Sequence, residues 1–120
     1  MVTRHDICAL ADLPDPALRS FYVGSRRIAV ARIAAEVYAL DSVCPHWSGL
    51  LDEGQLSVTR REVICPWHRF RFDLASGACV ASNLRPPART FPVEIVKGRV
   101  VVTVDEADSS QINGTSEVTA

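Results

Sequence analysis

Residues 44–68 read Cys44-Pro-His46-Trp-Ser-Gly-Leu-Leu-Asp-Glu-Gly-Gln-Leu-Ser-Val-Thr-Arg-Arg-Glu-Val-Ile-Cys65-Pro-Trp-His68. The stretch opens on Cys-x-His and closes on Cys-x-x-His, with eighteen residues between the two pairs and a proline after each cysteine. Between them, Gln55–Thr59 and Glu62–Cys65 read as two short strands joined across Arg60-Arg61. Thiolates and imidazoles are soft and borderline metal donors. One Cys-His pair is weak evidence; two such pairs, each at a strand-to-loop transition, specify a metal site.

Two chemistries use this donor set. Zinc would take Cys44, His46, Cys65 and His68 in a tetrahedron, but structural zinc sites space their ligands more widely within each half than Cys-x-His does. The other is a 2Fe-2S cluster of mixed ligation, in which two histidines replace two cysteines on one iron. The paired loops suit this second geometry, each giving its Cys to the inner iron and its His to the outer one.

Outward from the site the chain alternates in twos. Phe21–Val23, Arg26–Ile33 and Val37–Asp41 read as strands with turns near Gly24-Ser25 and Ala34-Ala35. Phe70–Asp73 and Ala78–Ala81 flank Ala75-Ser76-Gly77, and Val93–Val96 and Arg99–Val104 flank Lys97-Gly98. Short strands with regularly spaced turn residues predict an all-β, antiparallel sandwich. Residues 12–19 leave room for one helical turn. With 120 residues, 48% of them hydrophobic, the chain makes one domain with a core that needs no disulfide staples.

Composition removes several function classes. The most apolar stretch, Ile28 to Leu40, is broken by Arg32 and Glu36 and falls short of the roughly 18 residues of a membrane span. The start Met1-Val-Thr-Arg-His-Asp6 lacks a signal-peptide pattern, so a cytoplasmic, reducing compartment is expected. The net charge of −1 conceals a segregation. Residues 60–89 hold six arginines against Glu62 and Asp73, whereas 105–120 hold Asp105, Glu106, Asp108 and Glu117 with no basic residue. The acidic stretch reads as a solvated, flexible tail. With one lysine and no nucleic-acid motif, a nucleic-acid partner is not expected.

Cys44-Pro-His46, Gly54-Gln-Leu56, Cys65-Pro-Trp-His68, Arg71-Phe-Asp73 and Ser76-Gly77 together resemble the Rieske-type 2Fe-2S ferredoxins, in particular the low-potential, oxygenase-associated class. The Pro-Pro-Ala-Arg-Thr-Phe-Pro-Val run and the closing Lys-Gly and valine-rich strand fit the same family, so the resemblance covers about residues 2–104. It implies a Rieske domain over 1–104, with a small cluster-binding subdomain inserted at about 43–73 and a tail at 105–120. It also implies one Rieske-type 2Fe-2S cluster held by Cys44, His46, Cys65 and His68, and a proline loop, Ser82 to Pro87, over a third side. The implied function is soluble one-electron transfer, in a monomer, from a flavin-dependent ferredoxin reductase to a terminal, ring-hydroxylating or related oxygenase. The chain itself is then not an enzyme. The alternatives are a small Rieske subunit of a larger reductase, such as a nitrite reductase, and, on the residues alone, a zinc-binding interaction module.

Histidine counting supports the carrier. A mononuclear oxygenase iron takes two histidines and a carboxylate, and only His5 remains once His46 and His68 are committed. In high-potential members each loop carries a further cysteine, joined in a disulfide, and hydroxyls donate to the cluster sulfurs. Here Gly49 and Trp67 occupy the cysteine positions, and Phe70 and Phe72 the hydroxyl positions. Fewer donors stabilise the reduced state less, which predicts a potential toward the negative end of roughly −150 to +300 mV.

Two departures stand out. The interval between His46 and Cys65 is slightly long for the family, and Arg69 stands where a glycine often follows the second histidine. Cys8 and Cys79 are expected as small buried residues on strands, and His5 as exposed. Trp47 and Trp67 are placed to shield the cluster or to meet a partner. Arg69, Arg71, Arg85 and Arg89 are expected to rim the site and steer it to an acidic partner.

Overall fold

The computed structural model describes residues 2–45, 49–67, 69–80 and 86–105. In chain order these form β1 (Val2–Ala9), β2 (Ala17–Val23), β3 (Arg26–Ile33), β4 (Glu36–Asp41), β5 (Gln55–Ser57), β6 (Glu62–Ile64), β7 (Arg71–Asp73), β8 (Thr90–Phe91), β9 (Val93–Val96) and β10 (Arg99–Asp105). Single 3-10 turns lie at Leu10–Asp12 and Leu51–Glu53. Three sheets result, ordered β1-β10-β9, β2-β3-β4-β8 and β5-β6-β7, and every pairing is antiparallel.

Strand β3 explains how the sheets stack. Successive side chains point to opposite faces, and β3 is buried on both. Ile28 and Val30 join Val23, Ala39, Phe91, Val100, Val102 and Val104 in one core, against the β1-β10-β9 sheet. Ala29, Ala31 and Ile33 join Leu40, Leu51, Val63, Phe72 and Leu74 in a second core, against the β5-β6-β7 sheet. The β2-β3-β4-β8 sheet is therefore the middle of three layers, an arrangement that suits its near-continuous apolar run. Each fully buried valine or isoleucine contributes about 1.5–3 kcal/mol.

Several strand limits shift from the sequence reading. Strand β2 begins at Ala17, and the single helical turn expected within 12–19 is absent. A 3-10 turn stands just before it, at Leu10–Asp12, because Pro14 and Pro16 lack the N–H that would extend a helix. Ala78–Ala81 is not a strand: Cys79 makes one isolated bridge to Phe72, and Ala81 lies outside the described residues. The two-residue β8 is too short to carry an alternation. Cys79 is buried, but Cys8 is only half-buried. His5 is also half-buried, with Nε2 2.7 Å from Thr3 Oγ1. Among the described residues, no helix is long and apolar enough to cross a membrane.

Candidate metal centre

Two loops, one following β4 of the middle sheet and one following β6 of the third layer, are closed by the same kind of backbone hydrogen bond. In the first, the Cys44 N–H donates to the Gly49 carbonyl at 2.9 Å, and Val43 bridges to Leu50. In the second, the Cys65 N–H donates to the Phe70 carbonyl at 2.8 Å, and Ile64 pairs with Arg71. Each loop is thus a six-residue excursion, closed by a hydrogen bond from its first residue to the carbonyl of its sixth. A cysteine occupies the first place in both. This explains why the sequence repeats Cys-Pro at two strand ends: the proline, without an N–H, leaves the ladder where the loop must turn away.

Both cysteines are buried in the second core, beside Leu51, Val63 and Phe72. Burial pushes the Cys65 thiol up to about 11, and the adjacent Cys44 thiol adds to the rise, against a lowering hydrogen bond from the Trp67 backbone. Two neighbouring thiols in an apolar pocket suit a cation that makes both of them thiolates. The donor set therefore fits an iron–sulfur centre.

The loops are pressed together at Gly49 and Trp67. A Cβ built on Gly49 would overlap the Trp67 ring and stand 3.2 Å from Cys65 Sγ, so any other residue there has to move the indole off the first loop. A Cβ on Gly54 would overlap the Ile64 carbonyl, the residue before Cys65. Both glycines are spacers that let the two loops share one pocket. Trp67 remains 56% exposed, its ring lying over the seam.

A third segment is tied to the same layer at both ends. The Asp73 carboxylate accepts from Ser76 N–H at 2.8 Å and from Ser76 Oγ at 2.9 Å, which fixes the turn that follows β7. The Val80 N–H donates to Arg71, and the Ala88 N–H to Gly77, each at 2.8 Å. Of the stretch expected to cover the site, Pro86 and Pro87 are exposed, while residues 82–85 lie outside the described residues.

The remaining expectations divide. His46, His68 and Trp47 lie outside the described residues, and among the described residues no three His, Cys, Asp or Glu side chains group as a metal site. Phe72 is fully buried against the cysteines, and Phe70 packs at the edge of the same core, so neither position presents a hydroxyl. Arg69 is exposed with φ +58°, the left-handed conformation that a glycine adopts without cost. Arg71 Nε stands 3.7 Å from the Glu62 carboxylate, Arg89 is exposed, and Arg85 lies outside the described residues. A groove of about 610 Å³ runs beside the first loop, lined in part by Tyr22, Val43, Pro45, Pro87 and Arg89.

Sequence reasoning missed one group here. Arg27 on β3 donates from Nη2 (2.7 Å) and Nε (3.2 Å) to Asp52, which also accepts the Ser42 hydroxyl. These residues are 10 and 25 positions from Asp52, so no local pattern joins them.

Residues 3–92 match the model of the Rieske [2Fe-2S] domain. The chain is 31% identical over 100 residues to the ferredoxin component of the naphthalene 1,2-dioxygenase/salicylate 5-hydroxylase systems of a Ralstonia species, covering 83% of this chain and 94% of that protein. Its fold is similar to the ferredoxin of carbazole 1,9a-dioxygenase from Nocardioides aromaticivorans IC177, with TM-score 0.78 and 29% identity over 83% of this chain and 96% of that one. It is similar also to a chain in a complex of reduced oxygenase and oxidised ferredoxin in carbazole 1,9a-dioxygenase, with TM-score 0.74 and 30% identity over 82% and 91%. With a putative NADH-dependent nitrite reductase small subunit from Mycobacterium tuberculosis it shares the fold alone, at TM-score 0.77 and 19% identity over 88% and 97%.

Proposed function

The chain belongs to the Rieske [2Fe-2S] domain family, and from that membership we propose that Cys44, His46, Cys65 and His68 hold one 2Fe-2S cluster in a small one-electron carrier. Cys44 and Cys65 would ligate one iron, and His46 and His68 the other. The carrier receives its electron from a flavin-dependent ferredoxin reductase and delivers it to the terminal oxygenase of an aromatic-ring-hydroxylating or related system. It works as a soluble cytoplasmic monomer, a component of the oxygenase system and not itself the catalyst. The observation that carries this reading is the pair of adjacent, buried cysteines, each donating its N–H to the carbonyl five residues on and so closing a loop.

The bound cluster supplies all the redox chemistry, taking up and releasing one electron at a time. The chain's own residues do the rest. Leu51, Val63 and Phe72 exclude water from the inner, thiolate side. Trp67 covers the seam between the loops, and Tyr22, Val43 and Pro45 with Arg89 offer the partner a mixed apolar and basic groove beside the first loop. The hydrocarbon side chains of Phe70 and Phe72 keep hydroxyl donors away from the sulfurs, which holds the potential low.

Absorption and EPR of the purified protein, followed by its midpoint potential, test the reading. Expected are a coloured protein, a reduced-state signal with average g below that of the free electron, and a midpoint below the hydrogen electrode. A colourless, EPR-silent protein would select zinc, and a positive midpoint would overturn the low-potential assignment. Gel filtration of a native extract separates carrier from fixed subunit: the carrier runs alone near 13.1 kDa.

A further inference from the structure

The two equivalent loops are anchored differently. The Cys65 loop stands on a ladder, Glu62, Val63 and Ile64 of β6 pairing with Asp73, Phe72 and Arg71 of β7. Among the described residues, the Cys44 loop has beneath it only the isolated Val43–Leu50 bridge, made by Leu51 N–H to the Ser42 carbonyl at 2.6 Å and Cys44 N–H to the Gly49 carbonyl at 2.9 Å. Two further bonds from Ser42 tie the base of the loop to its surroundings. The Ser42 N–H donates to the Arg27 carbonyl at 3.1 Å, and its hydroxyl donates to Asp52. Asp52 in turn accepts two hydrogen bonds from the Arg27 guanidinium, closing a ring between β3, the end of β4 and the Leu51–Glu53 turn.

The Asp52 side chain is 5% exposed. Burial alone would raise its pKa, but the hydrogen bonds from Arg27 and Ser42 outweigh burial and hold the carboxyl below its ordinary value. A two-point guanidinium–carboxylate pair is directional as well as charged. We propose that Asp52 is a positioning residue: the Asp52–Arg27–Ser42 ring replaces the missing strand ladder and fixes the Cys44 loop against the middle sheet. The ring thereby sets where Cys44 stands relative to Cys65. The redox arm of the test rests on the ligand assignment proposed above; the exchange arm does not.

The test is Asp52→Asn in the full holoprotein. The amide keeps the shape but loses the charge and one acceptor, so Arg27 is left partly uncompensated beside the site. Hydrogen exchange by mass spectrometry should rise at least tenfold in the peptide 42–52 and stay unchanged in 62–72. The midpoint should shift positive, and the EPR lines should broaden as the loop samples several geometries. Arg27→Gln should move the midpoint the other way. Equal exchange in the two peptides, or unchanged exchange in both, would overturn the proposal. If Asp52→Asn fails to fold, Ser42→Ala removes the tether without touching the ion pair and should raise exchange in 42–52 alone; no rise there also overturns it. Wild-type protein with no EPR signal but the same loop-selective exchange would leave the ring standing and remove the electron-carrier reading.

Discussion

The two faces of β3 are built from different residues for different purposes. One face presents Ile28 and Val30 to a core that also takes Val100, Val102 and Val104, β-branched side chains that interlock two pleated sheets. The other presents Ala29 and Ala31 to the layer that carries the cysteines. Small residues there let the third sheet approach closely, so the pocket around Cys44 and Cys65 sits directly against the middle sheet. Both faces begin with an arginine held by an aspartate. Arg26 pairs with Asp41 at 2.8 Å and lies 5.5 Å from the Phe91 ring centre, while Arg27 pairs with Asp52. The first face secures the scaffold, and the second fixes the site.

This division can be broken by substitution. Ile28→Ala should cost about 2–5 kcal/mol, because a fully buried side chain leaves a cavity between two sheets. Denaturant unfolding would read that loss, and the visible spectrum of the folded protein should stay unchanged. Ala31→Leu should cost about 1–3 kcal/mol by overpacking and should, unlike Ile28→Ala, disturb the spectrum, since the added atoms push on the cysteine layer. If both variants change the spectrum alike, the two faces are not separate in function.

Two smaller effects sharpen the contrast. Arg69→Gly relieves a left-handed conformation that costs about 1–2 kcal/mol and gives part of this back in chain entropy, for a net gain of about 0.5–1 kcal/mol in thermal stability. The two aspartates should respond oppositely to acid. Asp52 is held below its unfolded value, so its stabilisation is present above pH of about 3.9 and is lost as pH falls below that. Burial raises Asp41, with Arg26 opposing, so its contribution is complete at low pH and is lost as pH rises through its folded value. Unfolding curves of Asp52→Asn and Asp41→Asn between pH 2 and 7 should therefore differ from wild type with opposite slopes.

The parts of this molecule that were legible in sequence are those governed by near neighbours. The alternation in β3, β4 and β10 and the turns at Gly24-Ser25 and Lys97-Gly98 are local, and so is the Cys-Pro at each loop head. The helical turn expected within 12–19 is absent because Pro14 and Pro16 sit where donors are needed, a signal that is itself local. The strand expected at Ala78–Ala81 failed because its partner is a single bridge, decided by the tie from Ala88 to Gly77. That β3 would be buried on both faces could be suspected from its apolar run, but which neighbour covers each face is a property of the stacked layers. The Asp52 ring was invisible because its members, on β3, just after β4 and in the Leu51–Glu53 turn, are brought together by tertiary packing and not by any local pattern.

One pairing sets the order of events in making the protein. Strand β1 lies against β10, with Val2 opposite Asp105. Among the described strands, β1 has its one ladder partner in β10, about a hundred residues further along the chain. Contacts so distant in sequence are entropically slow to close, and until they do, Ile7 and Cys8 of β1 are missing from the edge of the core that β10 shares with β3. Assembly of the β5-β6-β7 sheet, whose strands lie between residues 55 and 73 and lead into the Cys65 loop, need not wait for that closure.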